Sequence, residues 1–235
     1  MRLGIMQPYF FPYVGYISLI KHVDEFVLFD TPQFIRHGWI ERNRILKPNG
    51  GWQYISVPLL KHHQKTPILE IKINNNIEWK KKILAQLTHY KKAPFYKETI
   101  RLLETIFASE YEDIVSFNKK ALEEVCNYLG INTKISVFSE MNLCIETVNE
   151  ADEWALNICK AIPNADEYWN PPGGIEFFDI SKYEKAGVDI KFQKMNLHEY
   201  RQGKNEFESG LSIIDVMMYN SVEKIHEMLD DFELM

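Results

Sequence analysis

The sequence predicts an α/β fold, with a parallel-sheet core interrupted by a helical segment, and three observations carry that prediction. Residues 2–7 (RLGIMQ) and 25–30 (EFVLFD) are short apolar runs separated by a loop and by helical spacing of apolar residues over 17–22. Strand, loop, helix, strand with no hairpin between them is the start of a βαβ unit, and such units build parallel sheets with a crevice at the strand C-termini. Residues 78–130 then turn wholly helical in pattern. Beyond them, strand-like runs at 133–138 and 189–193 alternate with helical spacing at 150–161 and 212–229, which returns the chain to the core. The 235 residues therefore read as one domain, with an α/β core at 1–77 and 131–235 and a helical segment at 78–130.

In order along the chain, Pro8 stops the first strand because it has no N–H to give to a ladder. The Asp30 and Gln7 strand ends are expected at one crevice. Asn49-Gly50-Gly51 is a strong turn signal between two β-like runs, 40–46 and 52–59. The alternation of ILEIKI over 68–73 predicts a further strand. Three helical stretches follow, ending at Pro94, Ser109 and Gly130, the last a glycine suited to a helix C-cap.

Composition narrows the function classes. A net charge of −6 argues against a general nucleic-acid surface, which needs clustered cations, but leaves room for a local phosphate site. No segment approaches the length of a membrane span, and the N-terminal apolar run, broken by Gln7, Pro8 and Pro12, does not read as a signal peptide. Three cysteines at wide spacing, with no Cys-x-x-Cys pair, predict reduced thiols and a cytoplasmic protein. Cys126 and Cys159 fall in apolar helical patterns and read as core. No histidine spacing suits a metal, so no cofactor is predicted, though carboxylates could hold magnesium without leaving a motif.

The stretch QPYFFPYVGY, residues 7–16, crowds aromatics between two prolines and just before a helix. Phe10 and Phe11 are expected to pack, whereas Gln7, Tyr13, Gly15 and Tyr16 are candidates to face a ligand. The outline of strand, proline loop, glycine and helix start is similar to that of class I nucleotidyltransferases, with tyrosines in place of their histidines. It therefore suggests a HUP/nucleotidyltransferase-like, nucleotide-binding core rather than adenylyl transfer, since a neutral tyrosine cannot supply cationic stabilisation. The segment 30–45 is the densest in polar chemistry. Asp30 is a candidate base or turn cap, Gln33 a binding residue, and Arg42 and Arg44 would share one strand face with Asn43 on the other. Trp169 through Gly174 reads as a loop, whose Gly173 and Gly174 could let backbone approach a ligand, or could simply connect elements. Asp215, amid apolar residues, needs a partner and reads as structural.

Taken together, these stretches resemble the WbqC-like protein family. The resemblance rests on Gln7, Pro8, Phe10, Pro12, Tyr13, Gly15 and Tyr16, then Asp30, Gln33-Phe34, Arg42-Asn43-Arg44-Ile45 and Pro48-Asn49-Gly50. Later matches are Ala93-Pro94-Phe95-Tyr96, Gly173-Gly174 with Phe178-Asp179, and the run Leu211 through Asp215. The chain departs from it at Met6, where many relatives carry histidine, and at Tyr168-Trp169-Asn170-Pro171, where a Tyr-x-Ser-Gly start is usual. The resemblance implies a role in bacterial O-antigen or other surface-polysaccharide biosynthesis, by acyl or glycyl transfer to an amino sugar. The expected ligand is then a nucleotide-sugar or another small phosphorylated molecule, with Asp30, Arg42 and Asn43 as catalytic candidates. A nucleotidyltransferase and a non-catalytic binding partner of a biosynthetic complex are the alternatives.

Overall fold

The computed structural model describes residues 1–204 and 206–235. Strand β1 (Arg2–Met6) is followed by helix α1 (Val14–His22) and strand β2 (Glu25–Leu28), which pairs parallel to β1 with Leu3 opposite Glu25 and Met6 opposite Leu28. The βαβ start is therefore present, with α1 beginning three residues earlier than its apolar spacing predicts. Strands β3 (Arg42–Leu46) and β4 (Trp52–Ser56) form an antiparallel hairpin of their own, turned by Gly50 and Gly51 at positive φ. Helices α2 (Trp79–Gln86), α3 (Tyr96–Ala108) and α4 (Ile114–Leu129) follow, with a 3-10 stretch at Leu87–Lys92 between the first two. Asp113 caps α4 by accepting the Ser116 N–H at 2.8 Å.

Strand β5 (Lys134–Val137), helix α5 (Glu153–Ala161), strand β6 (Glu167–Asn170), helix α6 (Ile180–Ala186) and strand β7 (Asp189–Met195) complete the parallel set. Helices α7 (Ile213–Tyr219) and α8 (Val222–Asp230) precede a short edge strand, β8 (Phe232–Leu234), antiparallel to β7. The six-stranded sheet runs β5-β2-β1-β6-β7-β8. From β1 the chain moves outward through β2 to β5, then crosses to the other side for β6 and β7. The winding direction reverses between β1 and β6, and in open α/β sheets such a reversal opens a crevice at the strand C-termini.

Both faces of the sheet are covered. Leu3, Ile5, Val27 and Tyr168 pack with Ile158 and Tyr183 from α5 and α6. Phe26, Leu28 and Trp169 point the other way, into the larger core with α1, α4, α7 and α8. Gly4 lies on that second face because the Phe26 ring occupies the place of a side chain. A Cβ there would come within 2.7 Å of the ring.

Two expectations need correction. Residues 68–73 are not a strand: Ile68–Glu70 is a 3-10 turn whose N–H groups at Ile68 and Leu69 bond to the Pro32 and Asp30 carbonyls, both at 2.9 Å. That stitches the segment to the exit of β2, and the buried positions Ile68, Ile71 and Ile73 do not keep a period of two. The helical spacing over 212–229 falls into two helices, SIIDVMMYN and then SVEKIHEML, because Ser221 caps α8 after Asn220 turns extended. Trp169 and Asn170, read as the start of a loop, belong to β6, the strand beside β1.

Candidate functional site

The loop leaving β1 is held by long-range bonds to almost every carbonyl it presents. Tyr16 donates its hydroxyl to Gln7 O at 2.8 Å, and the Asn118 amide of α4 donates to Pro8 O (2.8 Å) and Ile40 O (2.9 Å). The Asn43 amide donates to Phe10 O (3.1 Å) and Phe11 O (2.9 Å), Ser212 Oγ to Phe11 O (2.7 Å), and Ile213 N to Pro12 O (2.8 Å). Phe11 sits at φ 37, a backbone region that non-glycine residues avoid, and the two donors on its carbonyl hold it there. Phe10 and Phe11 are buried edge to face, 4.9 Å apart, with Phe117 of α4 within 6.2 Å of each. They are a core plug.

With its phenylalanines turned inward, the loop presents Tyr9, Pro12 and Tyr13 to a cavity of about 370 Å³. The cavity lies at the switch point: Met6 ends β1 on one side and Pro171 follows β6 on the other. Asn43 and Arg44 close it from the hairpin, Trp39 from the segment just before it, and Leu197 and Gly210 from the C-terminal stretch. The Arg44 guanidinium lies 5.5 Å from the Trp39 ring centroid and 5.3 Å from that of Trp52, and donates to Gly210 O at 3.1 Å. Its Nε–H is buried and has no partner among the described residues. Burial raises the Tyr9 and Tyr13 hydroxyls above their ordinary pKa, so both stay protonated donors. None of the lining residues is Asp, Glu, His, Cys or Ser. Volume, aromatic walls and a few convergent polar groups are the usual attributes of a small-molecule site.

The structure therefore brings Tyr13, Asn43 and Arg44 together and separates them from the other candidates. Tyr16 is fully buried and serves as a strut from α1 to the end of β1. Gly15 lets the Tyr13 ring fold over it, since a Cβ there would lie 2.5 Å from the ring. Gln7 is half-buried and contributes its carbonyl to Tyr16. Asp30 is 1% exposed, takes the Ser139 N–H at 3.1 Å and the Ser139 hydroxyl at 2.6 Å, and does not line the cavity. Arg42 shares its strand face with Arg44 but stacks on Tyr54, 3.9 Å from the centroid, over a separate cleft. Gln33 is exposed and lines a separate pocket of about 300 Å³ with Phe34 and His62. Gly173 and Gly174 fall in a short 3-10 helix, Pro172–Phe177, next to the cavity residue Pro171. A Cβ on Gly173 would meet nothing within 4 Å, and one on Gly174 would meet Phe178 at 3.2 Å.

Sequence reasoning missed Tyr9, Trp39 and Met6 as walls and Asn118 as the second clamp. Asn118 left a signal: a lone amide among Ile114, Phe117, Ala121, Leu122 and Val125 on the apolar face of α4. Cys126 and Cys159 are buried, with thiols pushed up to about 12 by desolvation, whereas Cys144 is exposed. Among the described residues no group of three or more His, Cys, Asp or Glu could hold a metal ion, and no helix is long and apolar enough to cross a membrane.

The model of the WbqC-like protein family matches residues 7–227. The chain belongs to that family. A relative from Mycobacterium tuberculosis (strain H37Rv), the uncharacterized protein Rv1507c, is 29% identical over 222 residues, 92% of each chain. No solved structure matches significantly. The matched span of the WbqC-like chain opens at Gln7, so the pinned loop, the hairpin arginines and Pro171 all fall inside it.

Proposed function

We propose that this WbqC-like chain is a transferase that binds a nucleotide-linked amino sugar at the β1/β6 switch point and acylates, or aminoacylates, its amine in bacterial surface-polysaccharide biosynthesis. The observation that carries the reading is a single cavity in which the aromatic walls of Tyr9, Tyr13 and Trp39 meet the guanidinium-bearing side chain of Arg44. Aromatic faces stack on a base or sugar ring, and a guanidinium matches phosphate oxygens. The position between β1 and β6 supports a HUP-like, nucleotide-binding reading of the sheet. Tyr9 and Tyr13 would donate hydrogen bonds to the sugar or to the carbonyl oxygen as it gains charge. Because the cavity lining offers no nucleophile, the amine attacks the activated carbonyl directly. The N–C bond forms as the leaving group departs with its bonding pair, and the amine proton passes to that group or to water.

The lack of an acid or base in the lining favours a second reading, a binding partner without turnover. Calorimetry with a panel of nucleotide-linked amino sugars, followed by mass spectrometry after adding acyl donors, separates the two. Binding that weakens roughly tenfold or more in Arg44→Ala, with a product heavier by the acyl group, supports the transferase. Binding without product supports the partner reading, and no binding to any member of the panel overturns both.

A further inference from the structure

A second cleft, of about 310 Å³, opens on the same face of the hairpin beside Arg42. Its polar groups are held in place by one residue. His37 takes a left-handed backbone, φ 63, which is uncommon outside glycine and asparagine. In that conformation its N–H donates to Glu41 Oε1 at 2.6 Å, while its carbonyl accepts from an Arg42 terminal nitrogen at 2.5 Å. One residue thereby fixes an acid and a base side by side, and the Tyr54 ring supports the guanidinium from beneath. Each head keeps one group unused. Glu41 is 9% exposed, and its Oε2 is buried without a partner among the described residues; the Arg42 Nε–H is in the same condition. Glu41 and Arg42 both line the cleft, as do Arg36 and His62. Arg36 donates to His62 Nε2 at 3.3 Å, while His62 Nδ1 lies 2.9 Å from the Leu60 carbonyl.

A buried carboxylate oxygen and a buried guanidinium N–H each cost free energy if left unsatisfied. A plain anion would satisfy Arg42 and be repelled by Glu41, and a plain cation would do the reverse. We propose that this cleft is a ligand site for a compact zwitterion, a primary ammonium set close to a carboxylate or phosphate, with the ammonium beside the Glu41 carboxylate and the anionic group on Arg42 and Arg36. α-Amino acids and aminoalkyl phosphates share that chemistry. The inference stands on this cleft alone and does not require the reading of the switch-point cavity.

The test is calorimetry on the full chain at about pH 8, with no nucleotide sugar present, using a series of α-amino acids, ethanolamine phosphate, and acetate and methylamine as single-charge controls. Burial raises the Glu41 carboxyl, and that pH keeps it ionised. At least one zwitterion should bind roughly tenfold or more tighter than either control. The amino-acid and phosphate arms decide which anion the cleft prefers. Glu41→Gln keeps an acceptor for the His37 N–H and should remove the preference for zwitterions over acetate. The exposed Arg36→Ala should weaken the anion contact without threatening the fold, and melting curves check both variants. No binding of any zwitterion to the wild type, or equal binding of zwitterion and acetate, overturns the proposal. Failure here leaves nucleotide-sugar binding at the other cavity untouched, and the reverse holds equally.

Discussion

Asp215 sits fully buried on α7, its oxygens receiving the Tyr90 and Tyr200 hydroxyls at 2.6 Å each and the Gln202 amide at 3.1 Å. The sequence made it a carboxylate in need of a partner, and the stretch HEYRQG, residues 198–203, supplies two of the three, Tyr200 and Gln202. Desolvation outweighs these donors and raises its pKa from 3.8 to about 6. The unfolded chain therefore ionises at lower pH than the folded one. The stability this group contributes is complete below about pH 4 and is lost as pH rises through about 6, by roughly 3 kcal/mol. Urea unfolding from pH 4 to 7.5 should show the wild-type minus Asp215→Asn difference falling by that amount, with other carboxylates cancelling in the subtraction. A difference independent of pH would remove the buried-charge account. Gly15 gives a second residue-scale prediction. In Gly15→Ala the new methyl meets only the far end of the Tyr13 side chain, which can swing away. The melting temperature should change little, because alanine favours the helix, while nucleotide-sugar binding falls as Tyr13 leaves the cavity wall.

At the scale of elements, the hairpin is what shapes the opening loop. Asn43 projects from β3 to two carbonyls of that loop, and Arg44 on the opposite face closes the cavity. Asn43→Ala would leave Phe10 O without its side-chain donor and Phe11 O with Ser212 alone, and should cost about 1–3 kcal/mol. Amide exchange at Phe10, whose N–H bonds to Trp39 O at 2.8 Å, should quicken before the sheet does. Unchanged exchange there would mean the clamp lies elsewhere. The hairpin itself was legible, since an Asn-Gly-Gly turn between β-like runs leaves few alternatives. Strand β6 was not, because its four residues include Trp169 and Asn170 and run directly into two prolines, a loop signature by composition. Its neighbours β1 and β7, far away in sequence, are what make it a strand.

Across the whole molecule, the order β5-β2-β1-β6-β7 puts β1 at the centre, with helices on both faces. Gly4 is the position where that packing leaves no slack. Gly4→Ala would press a methyl into the Phe26 ring and should destabilise by about 1–3 kcal/mol in denaturant melts, leaving ligand affinity of the folded fraction unchanged. A neutral result would show that the α1 side of the core repacks freely.

By itself the sequence determined the βαβ start, the hairpin, the helical run between residues 78 and 130, and the burial of Phe10 and Phe11, because hydrophobic period and turn chemistry are local properties. It also marked Tyr13, Asn43 and Arg44 as chemically equipped. Only the tertiary structure decided that those three share a cavity, that Asp30 turns to Ser139, that Arg42 faces a cleft of its own, and that Tyr16 is a strut. Each of those outcomes depends on which strand lies beside β1 and on bonds between residues far apart in the chain, such as Asn118 to Pro8 and Ser212 to Phe11. Spacing along one chain specifies the face a side chain occupies, but the partner it meets is set by the packing of the other elements.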